Sequence, residues 1–195
     1  MRARLARVLA IACLCACAPD AGAQAPARAT PAQVKAAFVV NFVRYTSWPA
    51  SSFAGREDAF HVCALGADEV VAVLERIVPG TRVAERPLVV ERVGARGLGS
   101  DAAQVLGEHL RSCHVLYVAA DARSEAGGAL ALVANADVLT VGDIGGFAAA
   151  GGMLELVPEG TRIGFRANPA AIAATRLEVS AKVLKLAQIV ARGAR

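Results

Sequence analysis

This sequence predicts a three-layer α/β sandwich, with a mostly parallel sheet, helices on both faces and an antiparallel hairpin towards the C-terminus. Three observations predict it. Two short apolar runs, Phe60-His-Val-Cys-Ala-Leu-Gly66 and Cys113-His-Val-Leu-Tyr-Val118, suit strands buried on both faces in the middle of a parallel sheet. From Phe60 onward, strand-like and helix-like segments alternate, as they do in a right-handed parallel sheet wrapped on both sides. After Asp143 the alternation breaks, and two short runs flank the turn Pro158-Glu-Gly160, which reads as a hairpin on the sheet edge.

The N-terminus reads as an export signal over residues 1–23. Arg2, Arg4 and Arg7 are followed by an apolar run to Cys17 and by the cleavage pattern Ala21-Gly-Ala23. The apolar run is about ten residues, short of the roughly 20 that a spanning helix needs. An alternative cut before Cys17, at Leu14-Cys-Ala-Cys17, would leave a cysteine for lipid attachment. Losing residues 1–23 removes three arginines and one aspartate, taking the formal charge from +4 to +2. So small and dispersed a charge gives no reason to expect a nucleic-acid partner. Residues 24–29 read as a flexible leader and 30–195 as a single domain, with ample core from a chain that is 55% hydrophobic.

The domain opens on Thr30-Pro-Ala-Gln33, a capping box with proline at the first helical position. A helix over 31–47 follows, ended by Trp48-Pro49. Phe38, Phe42 and Tyr45 recur on one face, and Val39, Val40 and Val43 widen the apolar surface. Phe38, Phe42, Tyr45 and Trp48 are therefore a candidate partner surface, with burial in the domain core as the default reading. The segments after it are strand 60–65, helix 68–78, strand 88–92 inside an exposed loop running from 82 to 99, helix 101–110, strand 113–119, helix 124–135 and strand 138–141. Residues 144–152 read as a mobile or tightly turning loop. Asn168-Pro169 opens a last helical region, in which Val179, Val183, Leu186, Ala187 and Val190 repeat at helical spacing.

Three of the five cysteines belong to the signal or its edge, leaving Cys63 and Cys113. In an oxidising compartment the pair is expected to be bonded, the alternative being two buried free thiols. His61, His109 and His114 form no H-x-x-x-H or H-E-x-x-H pattern, and His114 points away from the adjacent Cys113 along its strand, so no metal site is expected. No G-x-S-x-G elbow, P-loop or paired-carboxylate signature is present, and neither a cofactor nor an enzymatic role is expected. Asp143, Gly145 and Phe147 follow a strand where doubly wound sheets hold ligands, so they form a candidate small-ligand pocket. The plainer reading is a turn that needs φ > 0. Arg162 and Arg166 share a strand face, which suits a solvated edge better than an anion site.

Taken together, Lys35-Ala-Ala-Phe-Val-Val-Asn-Phe-Val-Arg-Tyr-Thr-Ser-Trp-Pro49, the two apolar runs, Val138-Leu-Thr-Val-Gly-Asp143, the segment 147–153 and Ile163-Gly-Phe-Arg-Ala-Asn168 resemble the YfiR family. The motifs occur in that order across nearly the whole of the domain. The resemblance implies a periplasmic α/β regulator that tends to form a homodimer. It would repress an inner-membrane diguanylate cyclase of the YfiN kind by contact, lowering cyclic di-GMP and restraining biofilm formation. It also implies, in some relatives, an outer-membrane lipoprotein of the YfiB type that sequesters the repressor. Cys63 and Cys113 match the positions of the family's sheet-stapling disulfide. The further cysteine pair that some relatives carry around residues 147–156 is missing from this chain.

Overall fold

The computed structural model describes residues 28–55, 57–94 and 100–190. The expected signal over 1–23, the alternative lipid site at Cys17 and most of the leader over 24–29 lie outside the described residues. In chain order the elements are α1 (Pro31–Arg44), β1 (Thr46–Ser47), β2 (Phe60–Leu65), α2 (Glu69–Ile77), β3 (Arg82–Val83), β4 (Arg86–Val93), α3 (Ser100–Ser112), β5 (Val115–Val118), α4 (Ala126–Leu132), β6 (Leu139–Gly142), β7 (Leu154–Glu159), β8 (Arg162–Ala167), α5 (Pro169–Ala173), β9 (Glu178–Val179), α6 (Ala181–Leu184) and β10 (Gln188–Ile189). Among the described residues, eight strands form one sheet in the order β10-β8-β7-β6-β5-β2-β4-β3, and β1 pairs with β9 in a separate ribbon. Neighbours from β4 across to β7 are parallel, and β7 and β8 form an antiparallel hairpin. The expected α/β class is the one observed.

Alternation along the inner strands builds two cores, one on each face. Phe60, Val62 and Ala64 of β2 and Val115 and Tyr117 of β5 pack beneath α1 and α2. Cys63 and Leu65, with Leu116 and Val118, pack on the opposite face with Leu110 of α3 and Ala129 of α4. Both faces of β2 and β5 are covered, so these strands read as unbroken apolar runs. Cys63 and Cys113 are joined by a disulfide across 50 positions.

Helix α1 begins on the predicted capping box, with the Thr30 hydroxyl accepting from the Gln33 amide and the Gln33 side chain accepting from the Thr30 amide. It buries Ala32, Ala36, Val39, Val40, Phe42 and Val43 and leaves Gln33, Ala37, Asn41 and Arg44 exposed. It ends at Arg44 because Thr46 and Ser47 pair with Val179 and Glu178.

Three expectations are corrected. The loop expected from residue 82 onward starts as a hairpin of β3 and β4, turned by Ala84 and Glu85 at φ 46° and 64° without the Asn-Gly signature such turns favour; residues 95–99 lie outside the described residues. The β7–β8 hairpin is not the sheet edge, because β10 pairs parallel to β8 beyond it. The residues spaced for a last helix are divided among several elements instead. Val179 pairs opposite Thr46, Val183 is buried, Leu186 is 78% exposed, and the Ser180 side chain caps a fresh turn at Lys182. Helical spacing here reflects three separate packing demands.

Candidate functional site

The strand order places a topological switch between β2 and β5, the two strands from which the chain departs in opposite directions. In sheets of this kind ligands bind outside the strand C-termini at such a switch. Here the loop after β2 carries Asp68 and the loop after β5 carries Asp121, and each carboxylate reaches across to the other loop. Asp68 caps α2, accepting from the Val70 and Val71 amides, and also accepts from the Ala120 amide at 3.2 Å and the Tyr117 hydroxyl at 3.4 Å. Asp121 accepts from the Ala67 amide at 3.2 and 3.1 Å. Gly66, at φ +104°, lets the loops approach, since a Cβ there would collide with Asp121 and Ala119. The crevice is thus closed by the protein's own carboxylates.

One strand over, Asp143 follows β6. Lys35 of α1 donates to both its oxygens, at 2.7 and 2.6 Å. Burial pushes the Asp143 carboxyl above the usual range, and the Lys35 ammonium offsets only part of that. Beside the pair lies a groove of about 240 Å³ lined by Pro31, Ala32, Lys35, Asp68, Glu69, Val70 and Asp143. Tyr117 is buried beneath this end of the sheet, and burial with the nearby Asp68 carboxylate pushes its hydroxyl up.

The three residues expected to share a ligand pocket diverge. Asp143 faces α1, Gly145 is exposed with its carbonyl towards Arg123, and Phe147 is buried in the core on the opposite face. Consecutive residues of the turn after β6 leave on opposite sides of the sheet, so proximity in sequence does not become a common cavity. Residues 144–152 form a pinned turn. Buried Glu155 accepts from the Gly146 and Ala148 amides and from Arg166, each at 3.0 Å. Asn168 donates to the Ala148 carbonyl, and the Thr140 hydroxyl accepts from the Met153 amide. Gly142 and Gly152 receive the Phe147 ring where a Cβ would collide with it. Arg166 is therefore spent on Glu155, while Arg162 is exposed.

The aromatic residues of the first helix also separate. Phe42 is buried, ring to ring with Phe165 at 5.0 Å, and half-buried Phe38 packs against both. Trp48 is half-buried, donating its indole N–H to the His114 carbonyl and meeting Phe60 edge-on. Tyr45 alone of the four is exposed, at 47%, and its carbonyl ties the helix end to Ser180. His114 is buried among Trp48, Phe53 and Phe60. Its Nε2–H donates to the Ser52 carbonyl and its Nδ1 accepts from the His61 amide, which fixes a neutral ring, and burial pushes its pKa down.

The disulfide has titratable neighbours that sequence reasoning did not connect to it. Glu91 lies opposite Cys63 in the β2–β4 ladder, and His109 lies one helical turn before Cys113. The spacing His109-x-x-x-Cys113 is a legible signal, but only once cysteine is admitted to a search otherwise made for paired histidines. Asp68 and Asp121 gave no comparable signal, because their partners are backbone amides of distant loops.

A family model described as YfiR/HmsC-like matches the chain over residues 32–188. No curated protein matches the chain.

Proposed function

The chain belongs to the YfiR/HmsC-like family, periplasmic regulators of cyclic di-GMP signalling, and on that premise we propose that it represses an inner-membrane diguanylate cyclase through protein contact. The observation that carries the reading is the family match over the whole α/β core. The closed switch crevice supports it, since Asp68 and Asp121 occupy the place where a substrate or cofactor of a doubly wound enzyme would sit. No helix among the described residues is long and apolar enough to cross a membrane. Tyr45 at the end of α1 is the aromatic anchor available for contact with the cyclase, being exposed and held by main-chain pairing of its carbonyl with Ser180. A homodimer, and a YfiB-like lipoprotein that competes for the repressor, belong to the same proposal.

Tyr45→Asp tests the reading. The variant should keep the wild-type melting temperature yet lose co-purification with a membrane cyclase, or lose dimerisation, with a rise in cellular cyclic di-GMP. Undiminished capture and unchanged cyclic di-GMP would remove Tyr45 from the interface. Turnover of a metabolite by the purified chain, with no protein captured from the envelope, would overturn the regulatory reading itself.

The alternative is a small-ligand sensor at the groove beside Asp143. It is favoured by the groove but opposed by Lys35, which already holds both Asp143 oxygens.

A further inference from the structure

We propose that Cys63, Cys113, Glu91 and His109 form a zinc(II) site once the Cys63–Cys113 disulfide is opened by a dithiol. The site stands apart from the Asp143 groove and does not depend on the regulatory reading. One ligand atom from each of the four residues lies within 4.8 Å of every other. Zinc bonds of about 2.0–2.3 Å in tetrahedral array put ligand atoms roughly 3.3–3.8 Å apart. The set therefore needs only modest adjustment: the sulfurs separate and the nitrogen and oxygen draw in. With the two cysteine Cα atoms 6.0 Å apart, side-chain rotation accomplishes this without moving a strand.

Regular structure brings the four together as two pairs. Cys63 and Glu91 are direct partners in the parallel ladder of β2 and β4, so they share a sheet face. His109 and Cys113 sit one helical turn apart where α3 ends. The pairs already touch. The Glu91 Oε1 is 3.0 Å from the Cys63 sulfur and 3.3 Å from the His109 Nε2. Both cysteines are buried, while the Glu91 and His109 side chains are 38% and 44% exposed. The sulfurs thus form a dry floor, and the imidazole and carboxylate stand at a mouth that a hydrated ion can reach. A second opening is lined by Arg111, Ser112, Cys113 and His114 on the Cys113 side.

The chemistry balances. A dithiol attacks one sulfur to form a mixed disulfide, then closes its own ring, leaving two protein thiols and an oxidised cyclic disulfide. Zinc displaces two protons, one from each thiol, and takes the imidazole nitrogen and a carboxylate oxygen as its third and fourth ligands. The mixed sulfur and nitrogen donors suit zinc and disfavour magnesium or calcium. Cys63 in β2 and Cys113 before β5 would then remain stapled by a metal in place of the covalent bond.

The test uses the full chain with Cys13→Ser, Cys15→Ser and Cys17→Ser, so that two thiols remain. The protein is reduced with a dithiol, desalted without oxygen, and titrated with zinc and with cobalt(II). The reduced chain should bind one metal ion, show a thiolate-to-cobalt charge-transfer band, and melt higher with zinc than without. The oxidised chain should do none of these. His109→Ala and Glu91→Gln should each weaken zinc binding by about tenfold or more, while their oxidised forms keep the wild-type fold by circular dichroism. Equal affinity in wild type and both variants would reduce the site to two adventitious thiolates and overturn the proposal. A reduced chain that takes no metal, or that zinc neither stabilises nor refolds, would overturn it as well.

Discussion

Lys35 and Asp143 meet across 108 positions of sequence, the Lys35 ammonium donating to both carboxylate oxygens where α1 crosses the end of β6. The Asp143 carboxyl nevertheless stays above its ordinary range, because burial costs the ionised form more than Lys35 returns. The contact therefore fixes the register of α1 on the sheet more than it adds stability. Lys35→Met should cost about 2–4 kcal/mol at neutral pH by leaving a buried carboxylate without its cation. Lys35→Met/Asp143→Asn should lie near wild type. The sign of the pH dependence follows: without Lys35 the folded-state pKa rises further, so the penalty grows as pH rises above the carboxylate range and shrinks as Asp143 takes up a proton in acid. Urea midpoints at pH 4 and pH 7 check this. A Lys35→Met penalty of equal size at both would contradict it.

His114 should make the fold acid-sensitive. Its folded-state pKa is depressed by burial, so between the ordinary histidine value near 6.5 and the lower folded value the unfolded chain binds the extra proton. Stability is fully present above the unfolded pKa and is lost as pH falls through that window, by at most about 1.4 kcal/mol per pH unit. His114→Phe removes this slope. It also costs about 1–3 kcal/mol at neutral pH, because the Ser52 carbonyl and His61 amide lose their partner. Chemical denaturation from pH 5 to pH 8 reads both effects. An unchanged slope in the variant would assign the acid sensitivity to other groups.

The turn after β6 should tolerate no side chain at Gly142 or Gly152. A Cβ at either position would collide with the Phe147 ring, which is buried and cannot retreat. Gly142→Ala and Gly152→Ala should each lower stability by about 1–3 kcal/mol or more, whereas Gly145→Ala, at an open exposed position, should cost less than about 1 kcal/mol. Thermal melts of the three variants make the comparison. Equal losses at all three would mean that the ring does not set the constraint.

The inner sheet was legible because its side chains answer to one force. With β2 and β5 covered on both faces, every position selects for apolar bulk, and the run declares the strand. The capping box at Thr30 was legible for a similar reason, since its partners lie within one turn. The end of the chain was not legible. Val179 pairs in a ribbon, Val183 fills the core and Leu186 is 78% exposed, yet their spacing mimics one helix face. The candidate site failed in the same way. Asp143 was found because it follows a strand, but Lys35, which neutralises it, looked like an ordinary polar helix position. Gly145 and Phe147 were grouped with Asp143 by adjacency, although the turn sends the three in different directions.

Opening the disulfide in the presence of a chelator should lower stability substantially. Cys63 and Cys113 close a loop of 50 positions, and on the chain-entropy account such a cross-link is worth about 4 kcal/mol through restriction of the unfolded chain. The bond joins β2 to Cys113, two residues before β5, across the boundary where the chain crosses from one side of β2 to the other. Reduction therefore releases the two halves of the parallel sheet from each other in the unfolded ensemble, and the midpoint of urea unfolding should fall while its slope stays nearly constant or rises slightly. Cys63→Ala/Cys113→Ala should reproduce the loss without any reductant. If contact with a partner requires the intact sheet, the same treatment should weaken capture of that partner in proportion to the fraction unfolded. Matching urea midpoints for oxidised, reduced and doubly substituted chains would show that the two cores hold the sheet together without the bond.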